Sequence, residues 1–166
     1  MFNQPTIRAS RPDDVNLLPD IDLKCYDYPD GLGEWKEFFN RPKDNKTLLI
    51  HVGKRLVGLG AWCNTINQET GDVTASVRKL CIVPAFRRRG FGTKLLTSLE
   101  SHAAKDRNEV LRIIVPDVHC DPRDPHDVSG FLNRGGFTPN GIVPDWEFMF
   151  GRMADGYIWE KKIATL

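Results

Sequence analysis

One stretch limits the fold more than any other: Val83-Pro84-Ala85-Phe86-Arg87-Arg88-Arg89-Gly90-Phe91-Gly92-Thr93. An apolar run, Leu80-Cys81-Ile82-Val83, leads into it, and Leu95, Leu96, Leu99 and Ala103 recur at helical spacing after it. The order is therefore strand, basic glycine loop, helix. Such a loop turns successive backbone N–H groups toward one point, and the helix adds the positive end of its dipole. Gly90 and Gly92 let the backbone approach a ligand and adopt conformations that a side chain forbids. The arginines add attraction for an anion. The stretch reads as a phosphate cradle; the plainer alternative is a basic surface turn before a helix. Two other phosphate loops are excluded. There is no Gly-Lys-Ser/Thr, and Leu95 stands where the third glycine of Gly-x-Gly-x-x-Gly belongs.

In this context, Val83-Pro84 followed by Arg87-x-x-Gly90-x-Gly92 resembles the acetyl-CoA loop of the GNAT N-acetyltransferase superfamily. The resemblance implies that the backbones of Cys81, Ile82 and Val83 pair with the pantetheine arm of coenzyme A. It also implies that the pyrophosphate is held by Arg87, Arg88, Arg89, Gly90, Phe91, Gly92 and Thr93. The implied fold is an α/β (mixed α+β) single domain spanning residues 1–166. Its central mixed sheet of six or seven strands is flanked by about four helices, and the cofactor lies between two splayed parallel strands. Those strands would end near Val83 and Val115.

Length and composition agree with one such domain. A chain of 166 residues buries a core without staples. The net charge of +1 names no partner, but Arg78, Lys79, Arg87, Arg88, Arg89 and Lys94 form a local basic cluster suited to a compact polyanion. Nucleic acid is disfavoured, because no long basic stripe interleaved with aromatics is present. Cys25, Cys63, Cys81 and Cys120 form no Cys-x-x-Cys pair and read as reduced thiols. The opening residues show no signal-peptide pattern, and no apolar run reaches membrane length. The expected compartment is cytoplasmic.

Along the chain, residues 6–9 predict a first strand, and Ser10 to Asp14 a helix start that Pro19 splits or kinks. Tyr26, Tyr28 and Pro29 lie in a turn-rich aromatic loop, and residues 34–39 predict a short helix with Trp35, Phe38 and Phe39 on one side. Residues 47–52 and 56–62 predict a hairpin turning at Gly53-Lys54, residues 64–71 a polar loop, and residues 74–83 the strand that feeds the glycine loop. A helix over 93–105, a strand over 110–115, a loop over 116–127 and a short helix over 128–134 follow. That helix ends in Gly135-Gly136-Phe137. Residues 146–150 and 157–162 predict an antiparallel pair around Arg152-Met-Ala-Asp-Gly156. The opening and the Gly-Phe ending also resemble the superfamily, in particular its branch that acetylates protein N-termini. There the aromatic loop helps form the acceptor site, which would here fall to Tyr26, Tyr28 and Trp35. Read as residues alone, these are equally core or rim aromatics.

The implied reaction is direct transfer of an acetyl group from acetyl-CoA to a primary amine of a protein or small molecule. It needs aligned reactants, a donor for the developing oxyanion, and a route for the amine proton. That branch commonly has a Glu in the strand before the long loop and a Tyr in the short helix. Here the strand over 110–115 holds no carboxylate, and Leu132 occupies the tyrosine position. The nearest polar supply is the loop with Asp117, His119, Cys120, Asp121, Asp124 and His126. Of these, His119 and Asp117 are the candidate catalytic residues, with histidine the better base near neutral pH. No ligand spacing supports a metal site, and a solvated loop is the bland alternative. The alternative function is a GNAT-like coenzyme-binding or structural module that has lost turnover.

Overall fold

The computed structural model describes residues 4–120, 123 and 127–164. Seven strands form one mixed sheet in the order β1-β2-β3-β4-β5-β7-β6. The strands are β1 (Pro5–Ala9), β2 (Asn45–Val52), β3 (Arg55–Ile66), β4 (Val73–Ile82), β5 (Val110–Pro116), β6 (Thr138–Met149) and β7 (Arg152–Lys162). Four helices flank it: α1 (Leu18–Cys25), α2 (Leu32–Phe39), α3 (Phe91–Lys105) and α4 (Ser129–Arg134). Every neighbouring pair of strands is antiparallel except β4 and β5, which are parallel and joined through α3.

Alternation along the strands supplies two apolar faces. On one, Leu49, Leu59, Ala61 and Cys81 pack against Leu18 and Ile21 of α1 and Trp35 of α2. On the other, Leu48, Ile50, Val57, Leu111, Ile113 and Val115 pack against α3 and Leu132 of α4. The α3 stripe is the expected one: Leu95, Leu96, Leu99 and Ala103 are all buried. Each of the three leucines contributes about 2 kcal/mol of burial. Pro19 falls in the first turn of α1, where its missing N–H costs nothing. A 3-10 segment, Pro12–Leu17, precedes it, so the proline splits the opening helix rather than kinking it.

Two expectations are corrected. First, β3 runs on to Ile66, so the polar loop shrinks to residues 67–72; Asn64, Thr65 and Ile66 pair with β4 despite their polar or exposed character. Second, the final hairpin turns at Phe150-Gly151, both at positive φ (50° and 80°), rather than around residues 152–156. Gly156 looks like a turn residue in sequence but lies inside β7. A Cβ there would come within 2.6 Å of Ile114 and 2.7 Å of Trp146, so glycine is required for close packing.

Candidate functional site

The site is made by a bulge. Against β3, Ala61 pairs with Lys79 and Trp62 with Val77, which leaves Arg78 as an extra residue in β4. Against β5, the pairing of β4 ends at the same place, with Val77 opposite Ile113. An extra residue bends its strand and breaks the ladder. Beyond the bulge, residues 78–82 leave β5, and the two parallel strands open into the expected splay.

Main-chain groups along that gap follow from alternation. Val83 N–H donates to Val57 O on the β3 side (2.8 Å), so the N–H and C=O groups of Ile82 and Leu80 point the other way, into the gap. Side chains hold two of them. Leu80 N–H donates to the Tyr26 hydroxyl (3.0 Å), and Arg87 Nε donates to Ile82 O (2.8 Å). Arg87 therefore braces the loop against the strand end rather than reaching outward for an anion. Arg89 is similarly turned back, to Ala85 O (3.3 Å) and the Phe86 ring. Cys81 is buried against Cys25; their hydrogen bond and burial push its thiol well above the usual range. A thiol so placed is packing, not a nucleophile.

Past Pro84–Phe86 the loop reverses through two left-handed residues, Arg88 (φ 61°) and Gly90 (φ 76°). Gly90 is the N-cap of α3 and offers no side-chain cap, so the amides of Phe91, Gly92 and Thr93 face forward unpaired by any side chain. No atom lies within 4 Å of where a Gly90 Cβ would sit. Gly92 differs, since a Cβ there would meet Phe131 at an ordinary 3.5 Å. The loop fits a pyrophosphate: it presents consecutive free amides, a helix N-terminus, and open space before Gly90. The gap edge beside it offers backbone groups to an extended amide chain such as pantetheine.

The three predicted acceptor-side aromatics separate into different roles. Trp35 is buried and donates its indole N–H to Asp22 Oδ2 (3.2 Å), so it supports the loop from beneath. Tyr26 lies over the gap edge, with Lys79 Nζ 4.4 Å from its ring centre. Tyr28 is exposed and reaches across to the β6–β7 turn, where its hydroxyl accepts Phe150 N–H (2.9 Å) and its ring meets Phe150 edge-on. Burial pushes the Asp22 carboxyl up, and Lys79 opposes this from 3.1 Å. Lys79 also reaches Asp30 at 3.3 Å, tying the α1–α2 loop to the bulge. A cavity of about 360 Å³ opens beside it, between α2 and Arg78.

Asp117 and His119 form a half-buried 3-10 turn directly after β5. Both carboxylate oxygens of Asp117 are held by Arg152 at the start of β7 (2.9 and 3.1 Å). That pairing makes Asp117 an anchor for the hairpin. Cys120 packs against the core, and burial raises its thiol. Asp121, Asp124 and His126 lie outside the described residues. Ile114 lies against Gly156 beside Trp146, and Leu132 is buried; both are aliphatic, so neither offers an acid or base.

Sequence reasoning missed Trp146, Phe150 and the Asp22–Lys79 pair. In sequence the first two read only as strand residues. A lysine five residues before Pro84 and an aspartate four before Tyr26 carry no local signal of their contact.

Comparison with known proteins agrees with this geometry. No curated protein sequence matches the chain. Among solved structures, Arabidopsis thaliana NAA60 in complex with acetyl-CoA aligns with a TM-score of 0.80 at 13% identity, over 96% of this chain and 99% of that one. The ribosomal-protein-S18-alanine N-acetyltransferase of Escherichia coli aligns with 0.76 at 14%, over 98% and 96%. The Vibrio cholerae spermidine/spermine N-acetyltransferase SpeG aligns with 0.72 at 19%, over 96% and 92%. At these identities the alignments show a shared fold. The model of the acetyltransferase (GNAT) family matches residues 15–123, from the opening helical segment through the glycine loop to the turn after β5, and the chain belongs to that family.

Proposed function

We propose that this protein transfers an acetyl group from acetyl-CoA directly to a primary amine of a protein or small molecule. The observation that carries the reading is the coincidence, at one end of the sheet, of the β4–β5 splay with the forward-facing amides of the glycine loop. The family uses acetyl-CoA, and an activated thioester is what it supplies. In this reading the Gly90–Thr93 amides and the α3 dipole hold the pyrophosphate. The arm runs along the main chain of Ile82; the expectation for Cys81 and Val83 is corrected, because Cys81 is paired with β3 and Val83 with Val57 and Phe86. Leu80 N–H becomes a donor to the carbonyl once the Tyr26 hydroxyl is displaced from it. Fixed donors of this kind are typically worth about 3–4 kcal/mol of barrier.

The amine enters from the opposite side, between the α1–α2 loop and the β6–β7 turn. Tyr28, Trp146 and Phe150 present exposed aromatic surface there. His119, at the carboxyl end of β5, takes the amine proton directly or through one water. Asp117 and Arg152 hold that turn against the hairpin. The compartment is cytoplasmic in this reading; among the described residues, no helix is long and apolar enough to cross a membrane.

The experiment is thioester consumption by purified protein over a panel of peptide N-termini, lysine side chains and polyamines. Release of free thiol that depends on both acetyl-CoA and one amine class supports the reading. Saturable acetyl-CoA binding with no turnover on any amine would favour a binding module instead.

A further inference from the structure

We propose that Cys25 is a peroxide-sensitive thiol, that Cys81 captures its oxidised sulfur as a disulfide, and that this cross-link closes the acetyl site. The chemical half stands on the two cysteines themselves. The closing half rests on the acetyl-transfer reading.

The chain has four cysteines, all distant in sequence, and the fold brings two of them together. Cys25 ends α1 and is half-buried, while Cys81 on β4 is buried in the core that Cys25 packs against. Their neighbours fix the approach. Tyr26, the residue after Cys25, accepts the N–H of Leu80, the residue before Cys81 (3.0 Å). The two sulfurs share a hydrogen bond, and Arg87 reaches the Cys25 sulfur as well as Ile82 O (2.8 Å). The other two cysteines are set differently. Cys63 borders the cavity beside Arg78, Cys120 packs on the opposite face of the sheet, and burial raises both thiols.

These contacts divide the roles. Cys81 S–H donates to the Cys25 sulfur and so holds the Cys25 thiol below its usual range against burial; Arg87 adds to this and Asp22 opposes it. A partly exposed thiol with thiolate character, beside a second thiol, is the kind that a peroxide oxidises. Cys81 is too buried and too weakly acidic to meet a reagent from solvent, but it need only reach the sulfur already against it.

The chemistry balances with one peroxide. The Cys25 thiolate attacks a peroxide oxygen, the O–O bond breaks, and Cys25 becomes a sulfenic acid. The Cys81 sulfur then bonds to the Cys25 sulfur, the S–O bond breaks, and the departing hydroxide takes the Cys81 proton. Two thiols lose two electrons to one peroxide, which leaves as two waters. The cross-link ties the end of α1 to β4 and keeps the Tyr26 hydroxyl on Leu80 N–H. In the acetyl-transfer reading that hydroxyl must leave before the N–H can serve the carbonyl. The oxidised protein therefore keeps its phosphate loop and loses a carbonyl donor.

The test is hydrogen peroxide on the purified protein, followed by peptide mass mapping without reductant and by kinetics. The expected map shows Cys25 linked to Cys81, with Cys63 and Cys120 still free. Turnover should fall about 100-fold, as for loss of one oxyanion donor, with coenzyme A affinity kept and dithiothreitol restoring the rate. Cys25→Ser should turn over like wild type and resist peroxide. In Cys81→Ala, dimedone should label Cys25 and no link should form. A treated wild-type protein without the Cys25–Cys81 peptide pair overturns the proposal. So does a linked protein that turns over as fast as the reduced one, or peroxide inhibition that persists in Cys25→Ser. A reduced protein that acetylates no amine is a distinct result: it removes the acetyl-transfer reading and the closing half with it, while the peptide map still decides the cross-link.

Discussion

The two glycines of the loop look alike in sequence, yet the structure assigns them opposite sensitivities. Gly90 has φ 76° and ψ 5°, and nothing lies within 4 Å of an added Cβ. Its replacement by alanine therefore carries no clash; the cost is conformational. The left-handed region costs a non-glycine residue about 1–2 kcal/mol. Lower entropy of the unfolded chain returns about 0.5 kcal/mol of that. A net loss of about 1 kcal/mol lowers Tm by about 2–4 °C for a domain of this size. Gly92 is inside the first turn of α3, without a positive φ, and its Cβ would meet Phe131 at 3.5 Å. Gly92→Ala should be neutral or stabilising by up to about 0.5 kcal/mol, since alanine is the better helix former. Binding should divide the same way. A Cβ at Gly90 projects into open space and its strain falls on the turn that aims the loop amides, whereas one at Gly92 points back at Phe131 and Ile82. Gly90→Ala should weaken acetyl-CoA binding at least tenfold, and Gly92→Ala less than threefold. Thermal melts and calorimetry on both variants check this. Equal effects at the two positions, or a Gly90→Ala protein that melts higher than wild type, would refute the argument.

Other consequences are independent of the loop. Arg8 holds Asp14 through two hydrogen bonds (2.7 and 2.8 Å), and the carboxyl is lowered to about 2, foremost by that bond. A depressed carboxyl stabilises the fold above its unfolded value near 4 and loses the contribution as pH falls toward 2. Because Arg8 is partly exposed, solvent screening reduces the effect, so Asp14→Asn should cost about 1–2 kcal/mol at pH 7 and almost nothing at pH 2 in urea titrations. Gly58→Ala should be severe, because its Cβ would lie 2.3 Å from Cys81 O, a backbone atom that cannot move without parting β3 from β4. A loss of about 3 kcal/mol or more, or no soluble protein, is expected; a melt within 2 °C of wild type would contradict it. For proton transfer, His119→Ala should lower kcat/KM about 100-fold and leave a pH profile that follows only the acceptor amine. Unchanged activity and profile would return the role to a water chain.

The strand, glycine loop and helix were legible because their signals are local. Strand, glycine pair and helical stripe lie within 25 residues, and each acts through backbone geometry that residue type largely dictates. The parallel pairing of β4 with β5 was readable for the same reason, since two apolar runs joined by a helix have few arrangements. The contacts of the aromatic loop were less legible, because they are distant in sequence. Tyr26 meets Leu80, and Tyr28 meets Phe150. Neither pair leaves a periodic trace. Arg87 shows the limit from the other side. Its place in the motif suggested an anion ligand, but its guanidinium closes a carbonyl at the strand end. Gly156 misled because a glycine after an aspartate usually marks a turn, whereas here it makes room for Trp146.

The central claim is that the splay and the glycine loop together form an acetyl-CoA site. Calorimetric titration of the purified wild-type protein with acetyl-CoA tests it most directly, repeated on Gly90→Val. The account predicts saturable one-to-one binding in roughly the micromolar range, weakened by salt and abolished in the variant. A wild-type protein that shows no saturable binding, or a Gly90→Val protein that is folded and binds as tightly as wild type, would contradict it.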